Sequence, residues 1–240
     1  HLKSITMTAQ ITEELRWARV RTQLDQTYTY NHHWDEAIDI LDSRLKNKFF
    51  APVEFMLAKK AHKGEGFAIL TVQCTLIEMF AAFRVGKIYN YNKTAPYEYN
   101  QSKKMFISLL HTAPIFQDHF YTLNLKGNPI TNTPYNAEGF YSEVRCGLMH
   151  EARTKGNWRI NTAPKITDVK NERHFIRATN GTLHIYRTVL HYRLLADLDS
   201  DKAELRQVSP NGIDLRKKFA RKMDNLFDFQ HDTAFDWWVV

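Results

Sequence analysis

The chain has 240 residues, of which 43% are hydrophobic and 25% are charged. This composition is typical of a folded globular protein and excludes a chain that is disordered throughout. The formal net charge of +7 favours a polyanionic partner such as a nucleic acid, but solubility alone also explains a basic protein.

The first part of the chain has an apolar spacing that fits neither a helix nor a strand clearly. Residues 1–34 are expected to form an N-terminal segment that is peripheral or partly vector-derived, with a short helix or an exposed strand over 11–26. From Trp34 the spacing becomes helical, with apolar positions at Ile38, Leu41, Leu45 and Phe49. The sequence therefore predicts a main domain over 35–228, followed by an aromatic and acidic tail over 229–240.

The most apolar stretch, GFAILTVQCTLIEMFAAFRVG, is predicted to be a long central helix that ends at Gly86. Gln73 and Glu78 interrupt it, so no run reaches the ~18 apolar residues that a membrane span needs. No signal peptide is visible, and we expect a cytoplasmic protein without membrane contact. Because an unpaired carboxylate is costly to bury, Glu78 is expected to pair with an arginine, and Arg145 is the proposed partner.

Residues 133–155 are predicted to form the helix that carries the candidate site. The start signal is either Thr133 before Pro134 or Asn136, because short polar side chains accept the unpaired amides of a first turn. At about 100° per residue, one arc of this helix holds Phe140, Tyr141, Val144 and Leu148. The opposite arc holds Ser142, Arg145, Cys146, Met149, His150 and Arg153.

Further elements complete a mainly α fold, a helical bundle with a small β-hairpin insertion. A short helix is predicted over Ser102–His111. Asn180-Gly181 between β-prone runs predicts a hairpin over about 172–187. Helical spacing returns from Thr188, and a last helix is expected over Ile213–Phe227 with a basic face at Arg216, Lys217, Lys218, Arg221 and Lys222.

The segment Arg145-Cys-Gly-Leu-Met-His150, late in a predicted helix, resembles the R-x4-6-H motif of the HEPN superfamily. The resemblance covers roughly residues 35–228, including the helix around Glu78 and the one from about Leu183. It implies a helical bundle that acts as a symmetric homodimer and cleaves RNA without a metal or another cofactor. It also implies a toxin or phage-defence effector, for which an antitoxin or regulatory protein is a possible partner.

Cleavage of RNA by its own 2′-hydroxyl needs the residue types that this motif provides. A histidine can accept or donate a proton near neutral pH, and an arginine can neutralise charge on the phosphorane. Arg145 and His150 are therefore the candidate catalytic residues. On an ideal helix they diverge by roughly 140°, so two copies related by a two-fold axis are expected to build one composite cleft. The small residues Ser142 and Cys146 would allow the copies to approach closely.

Several roles stay open at this point. Arg153 and the basic residues Arg216, Lys217 and Arg221 are candidate RNA contacts, although such charges are more often solvated surface groups. The family often has a polar residue after the arginine, where this chain has Cys146. That departure favours an alternative function, a non-catalytic HEPN-type module that binds RNA, a nucleotide or a protein.

Metal sites and disulfides are not predicted. His150-Glu-Ala-Arg-Thr154 begins like a zinc-protease motif but has a threonine where the second histidine ligand should be. Cys74 and Cys146 are far apart and form no CxxC pair, so neither a disulfide framework nor a cysteine zinc site is indicated.

Overall fold

Helical spacing of apolar residues dominates the chain, and the fold follows it. The structure is a computed structural model that describes residues 13–29, 31–58, 64–93 and 95–229. Helices make up 59% of it and strands 11%, so the prediction of a mainly α fold with small β insertions is confirmed. The predicted tail over 229–240 lies outside the described residues except for Phe229.

The helices follow one another in this order: α1 (13–20), α2 (Asn31–Leu45), α3 (Ala51–Ala58), α4 (Glu65–Val85), α5 (Ser102–Leu110), α6 (Ala137–Gly139), α7 (Cys146–Glu151), α8 (Arg187–Leu205) and α9 (Pro210–Leu226). Two π-helical turns, Lys46–Phe50 and Phe140–Arg145, precede α3 and α7, and 3-10 turns occur at Arg21–Gln23 and Pro114–Phe116. Pro52 lies in the first turn of α3, where its missing amide hydrogen breaks no helical bond.

Within the described part of the chain, the strands form three small sheets. β1 (Ile88–Tyr89) pairs in parallel with β2 (Glu98–Tyr99), and β3 (Thr122–Leu123) pairs antiparallel with β4 (Pro129–Ile130). The third sheet has the order β5-β7-β6, with β5 at Trp158–Asn161, β6 at Ile176–Thr179 and β7 at Thr182–Tyr186. β6 and β7 are the predicted hairpin, and positive φ values at Asn180 (48°) and Gly181 (75°) explain why the turn requires this pair.

The chain divides into two compact units. Unit 1 contains the described residues of 1–48, 82–100 and 199–240, and unit 2 contains 49–81 and 101–198. In unit 2 the core is aromatic, with Phe140 contacting the rings of Phe120 and Trp158 at centroid distances of 5.3 and 5.4 Å. Phe140 therefore anchors the helix of the candidate site in this core.

Unit 1 corrects the prediction for the N-terminal segment. Trp17 is fully buried, and its ring centroid lies 6.4 Å from that of Phe219. The buried positions Trp17, Val20 and Leu24 have i, i+3, i+7 spacing, which the many charges between them obscured. Residues 13–29 thus contribute side chains to the core of unit 1, whereas residues 1–12 lie outside the described residues.

α4 has the length and composition of a membrane span. Its most apolar 18-residue window has a mean hydropathy of 1.7, and 61% of that window is buried inside the protein. The core helix of a soluble protein passes the same test, so length and composition are weak evidence for a membrane here.

Candidate active site

The helix of the candidate site begins at Asn136. The Asn136 side chain accepts hydrogen bonds from the backbone amides of Glu138 (2.9 Å) and Gly139 (3.4 Å), so the second of the two predicted start signals is the one used. After α6, the backbone widens into the π-helical turn, in which the Cys146 amide donates to the Tyr141 carbonyl five residues earlier. Such turns occur frequently at functional sites.

The helix ends where the backbone after α7 folds back and packs closely against Gly147. Ala152 adopts a left-handed conformation with φ of 52°, and the chain folds back so that the Arg153 carbonyl lies against Gly147. A Cβ atom on Gly147 would be 2.5 Å from that carbonyl oxygen. Trp158 then donates from Nε1 to Glu143 Oε2 at 2.9 Å, which ties β5 to the same helix.

Arg145 is held by two neighbours. Its Nη2 lies 3.2 Å from Glu78 Oε2 on α4, and its guanidinium lies 5.4 Å from the ring centroid of Tyr141. Burial alone would lower the pKa of Arg145, but the nearby groups, with Tyr141 and Glu78 foremost, outweigh burial and raise it. The arginine side chain keeps 20% of its surface exposed, so it is charged, fixed and still accessible.

Two thiols lie in the same cluster. Cys74 is one turn before Glu78 on α4, and burial raises the pKa of its thiol to about 12. It therefore stays protonated at neutral pH and is a poor nucleophile. Cys146 is half-buried, and both cysteines are free. Among the described residues, no group of three or more His, Cys, Asp or Glu side chains is arranged to hold a metal ion.

His150 lies in the last turn of α7 and is exposed. It makes no hydrogen bond or ion pair with any residue that the structure describes, so its ring is available to another molecule. Because the residues from Cys146 to His150 are α-helical, the divergence of roughly 140° between Arg145 and His150 applies to the folded helix as well.

The supporting residues differ in their roles. Ser142 is exposed, and its hydroxyl donates back to the Glu138 carbonyl at 2.9 Å. Arg153 is 66% exposed and pairs with Glu151 at 3.1 Å, as expected for a solvated helix-end charge. Neither is held towards Arg145 by a hydrogen bond or ion pair among the described residues.

Comparison with protein-family models, with curated proteins and with solved structures gives no match.

The prediction of a solvated basic face on α9 is wrong for two of its arginines. Arg216 is fully buried in unit 1, where it donates to the backbone carbonyls of Gln26, Leu205 and Gln207. Arg221 is 8% exposed and donates to the Gly86 carbonyl at 3.2 Å. Backbone carbonyls satisfy these guanidinium groups in place of water or phosphate, so neither can contact RNA in this structure. Lys217 is half-exposed and stays a candidate.

Sequence reasoning missed the role of Tyr141, which it assigned to the apolar face of the helix. Tyr141 and Arg145 are four residues apart, the spacing at which helical side chains meet. That spacing could have placed Tyr141 beside Arg145. The same spacing between Cys74 and Glu78 on α4 could have placed Cys74 beside the partner of Arg145.

Proposed function

We propose that this chain is a HEPN-like endoribonuclease that acts in the cytoplasm as a homodimer and cleaves RNA without a metal. The observation that carries the proposal is the pair between Arg145 and Glu78, which fixes a charged guanidinium at the accessible surface of unit 2. His150, on the same short helix, is exposed and without a partner among the described residues. A fixed guanidinium and an unengaged imidazole on one helix supply the groups needed for charge neutralisation and for proton transfer.

The proposed reaction is an internal displacement at phosphorus. His150 takes the proton of a 2′-hydroxyl, the 2′-oxygen attacks the adjacent phosphorus, and the bond from phosphorus to the 5′-oxygen breaks. The departing 5′-oxygen takes a proton from the second His150. Arg145 donates to the non-bridging oxygens, where negative charge grows in the transition state. The products are a 2′,3′-cyclic phosphate and a 5′-hydroxyl, and no water is consumed.

The homodimer is proposed because one chain does not aim both groups at one phosphate. The divergence of Arg145 and His150 on one helix means that a phosphate held by Arg145 lies away from His150 of the same chain. An isologous pairing about this helix brings the arginine of each chain towards the histidine of the other. Exposed Ser142 and Met149 lie on the surface that would meet the partner.

A second candidate function is a non-catalytic module of the same type that binds RNA, a nucleotide or a protein. It is favoured by Cys146, which follows the arginine and adds no strong hydrogen-bond donor.

An RNA cleavage assay in EDTA tests the proposal. The wild-type protein should produce 2′,3′-cyclic phosphate ends, and Arg145→Ala and His150→Ala should each reduce the rate by about 100-fold or more. Arg159→Ala and His32→Ala, which remove an exposed arginine and an exposed histidine elsewhere, should retain the wild-type rate. Unchanged cleavage in both site variants would overturn the assignment. Tight RNA binding without cleavage would select the second candidate.

Mixed dimers test the composite site. A heterodimer of one Arg145→Ala chain and one His150→Ala chain keeps one arginine and one histidine, each in a different chain. We expect such a mixture, made by co-expression with two affinity tags, to cleave faster than either variant alone but well below the wild-type rate, because it lacks the second His150 that protonates the departing 5′-oxygen. No recovery above either variant alone would argue against contributions from both chains.

A further inference from the structure

A second cationic cluster lies in unit 2, in a cleft of about 150 Å³. Its lining comes from the segment around the Pro114–Phe116 turn, the loop before β6, and α8: Pro114, Ile115, Gln117, Arg173, His174 and Arg193. The volume corresponds to roughly five waters at about 30 Å³ each, which is enough for a tetrahedral oxyanion but small for a whole nucleotide.

Arg193 is the least satisfied member of this cluster. Its Nη2 donates to the Lys170 carbonyl at 3.0 Å, whereas its Nε is buried and has no hydrogen-bond partner among the described residues. Arg193 also forms no ion pair with any carboxylate that the structure describes. Arg193 therefore brings to the wall of the cleft a guanidinium that no described carboxylate neutralises, which favours an anion there.

The loop that presents Arg173 and His174 is already held in place. Asp168 accepts from the Asn171 amide at 3.2 Å, and Glu172 accepts from the His174 amide at 2.7 Å. Glu172 is itself neutralised by Arg177 at 2.7 Å. Because these carboxylates are engaged with the loop, ligand binding would need little ordering of the backbone.

The segment around the Pro114–Phe116 turn, which also lines the cleft, contacts this loop through aromatic rings. The Phe116 and Phe175 ring centroids are 5.8 Å apart, and His119 stacks on Phe175 at 4.4 Å. Burial lowers the pKa of His119 to about 4, and the nearby positive groups His174 and Arg173 add to the decrease. The neutral His119 ring therefore packs on Phe175 and adds no cationic charge near neutral pH.

The carboxylate that pairs with the Arg173 guanidinium is engaged only loosely. Asp118 Oδ2 lies 3.4 Å from Arg173 Nη2, and these side chains are 41% and 65% exposed. Exposed pairs of this kind contribute little, so a phosphate oxygen can share or replace the carboxylate as the acceptor. Guanidinium groups from two different elements and an imidazole then surround one concavity, which fits a tetrahedral anion better than a planar one.

We propose that Arg173, His174 and Arg193 form a binding site for a phosphoryl group, separate in its residues from the Arg145/His150 site. The phosphoryl group is either a terminal monoester, as at the 5′ end of RNA, or a backbone diester. The site does not depend on the proposed ribonuclease activity, because its residues are not used in that reaction.

Calorimetric titration tests the site, with inorganic phosphate as the first probe. Wild-type protein should bind phosphate, and Arg193→Ala and Arg173→Ala should each weaken that affinity at least about fivefold, while Arg159→Ala should leave it unchanged. Circular dichroism of each variant confirms that it is folded. Saturable binding that is equal in wild type and both variants, or no binding to wild type, would overturn the proposal. Acetate binding as tightly as phosphate would also overturn the assignment to a phosphoryl group.

Two oligoribonucleotides of one sequence, with a 5′-phosphate or a 5′-hydroxyl, then distinguish the sources. These titrations use a His150→Ala background, in which the proposed nuclease leaves the RNA intact. A preference for the 5′-phosphate that is lost in Arg193→Ala identifies a terminal monoester, and equal binding that weakens in Arg193→Ala identifies a backbone diester. Absence of nuclease activity in the wild-type protein, with phosphate binding retained, would contradict only the proposed function, so the two failures are distinguishable.

Discussion

Glu78 Oε2 and Arg145 Nη2 are 3.2 Å apart, although 67 residues separate them in the chain. The two side chains are 17% and 20% exposed. An unpaired charge at this degree of burial is unfavourable, and each side chain supplies the opposite charge that the other needs. The expectation that a carboxylate within an apolar helix pairs with this arginine is confirmed. The pair also links α4 to the start of α7, and therefore determines where the guanidinium lies.

A double-mutant cycle should measure this link. We expect Glu78→Gln and Arg145→Met to show a coupling free energy of about 1–2 kcal/mol in urea unfolding, because either change alone leaves the other charge partly buried. The matched control is Glu151→Gln with Arg153→Met, an exposed pair whose coupling should be clearly smaller because solvent screens it. Equal coupling in the two cycles would show that burial adds nothing to the first pair.

The sequence predicted the elements more reliably than the burial of charged residues. Apolar spacing located α4 and α9, and Asn180-Gly181 located the hairpin, because these signals are local. The addition of β5 to the hairpin and the burial of Arg216 were not predictable, because both depend on backbone groups that are distant in the chain. A guanidinium satisfied by carbonyls has the same sequence signature as one in water.

Around the candidate site, the expected pair between Glu78 and Arg145 is present, and the catalytic roles of Arg145 and His150 stay predictions. Arg145, His150 and Glu78 were located from motif, spacing and the cost of an unpaired carboxylate. The π-helical turn was not foreseen, since nothing in residues 140–145 departs from ordinary helical propensity. The cleft of Arg173, His174 and Arg193 also escaped notice, because tertiary packing alone brings its two elements together.

Two glycines of the site helix should respond in opposite directions to alanine. Gly147→Ala places a Cβ atom 2.5 Å from the Arg153 carbonyl oxygen, and because that oxygen is backbone, the turn after α7 must shift. We expect a loss of roughly 1–3 kcal/mol of unfolding free energy. Gly139→Ala meets only Asn136 side-chain carbons at 3.6 and 3.8 Å and should stabilise by up to about 1 kcal/mol. Thermal unfolding of both variants measures the contrast, and a similar Tm change in both would contradict it.

Asp224 should be among the most sensitive positions of unit 1. It is fully buried and accepts from Arg21 Nε at 2.7 Å and from Trp17 Nε1 at 2.9 Å. Asp224→Ala leaves a buried guanidinium without this carboxylate, and we expect a loss of about 3–5 kcal/mol in urea unfolding. Asp214→Ala on the same helix removes a 62% exposed carboxylate and should cost about 0.5 kcal/mol or less. Comparable losses would show that the buried network contributes no more than a surface pair.

His119 should make stability depend on pH between its two pKa values. Burial lowers its pKa from 6.5 to about 4 in the folded protein. Between these values the unfolded chain binds a proton that the folded protein does not, so the free energy of unfolding falls as the pH is lowered. Below about pH 4 both states are protonated, and His119 causes no further loss.

His119→Phe removes this titration while keeping an aromatic ring against Phe175, at the expense of the hydrogen bond to the Gln117 carbonyl. The variant is therefore expected to be less stable near pH 7 but to lose roughly 2–3 kcal/mol less than wild type on acidification to about pH 4.5. Urea unfolding at the two pH values measures the difference. The buried His191, whose pKa is also lowered by burial, contributes in the same direction to both proteins and cancels in the comparison. Equal acid sensitivity of the variant and wild type would mean that His119 is protonated within the fold, which would add a positive charge beside Arg173 and His174.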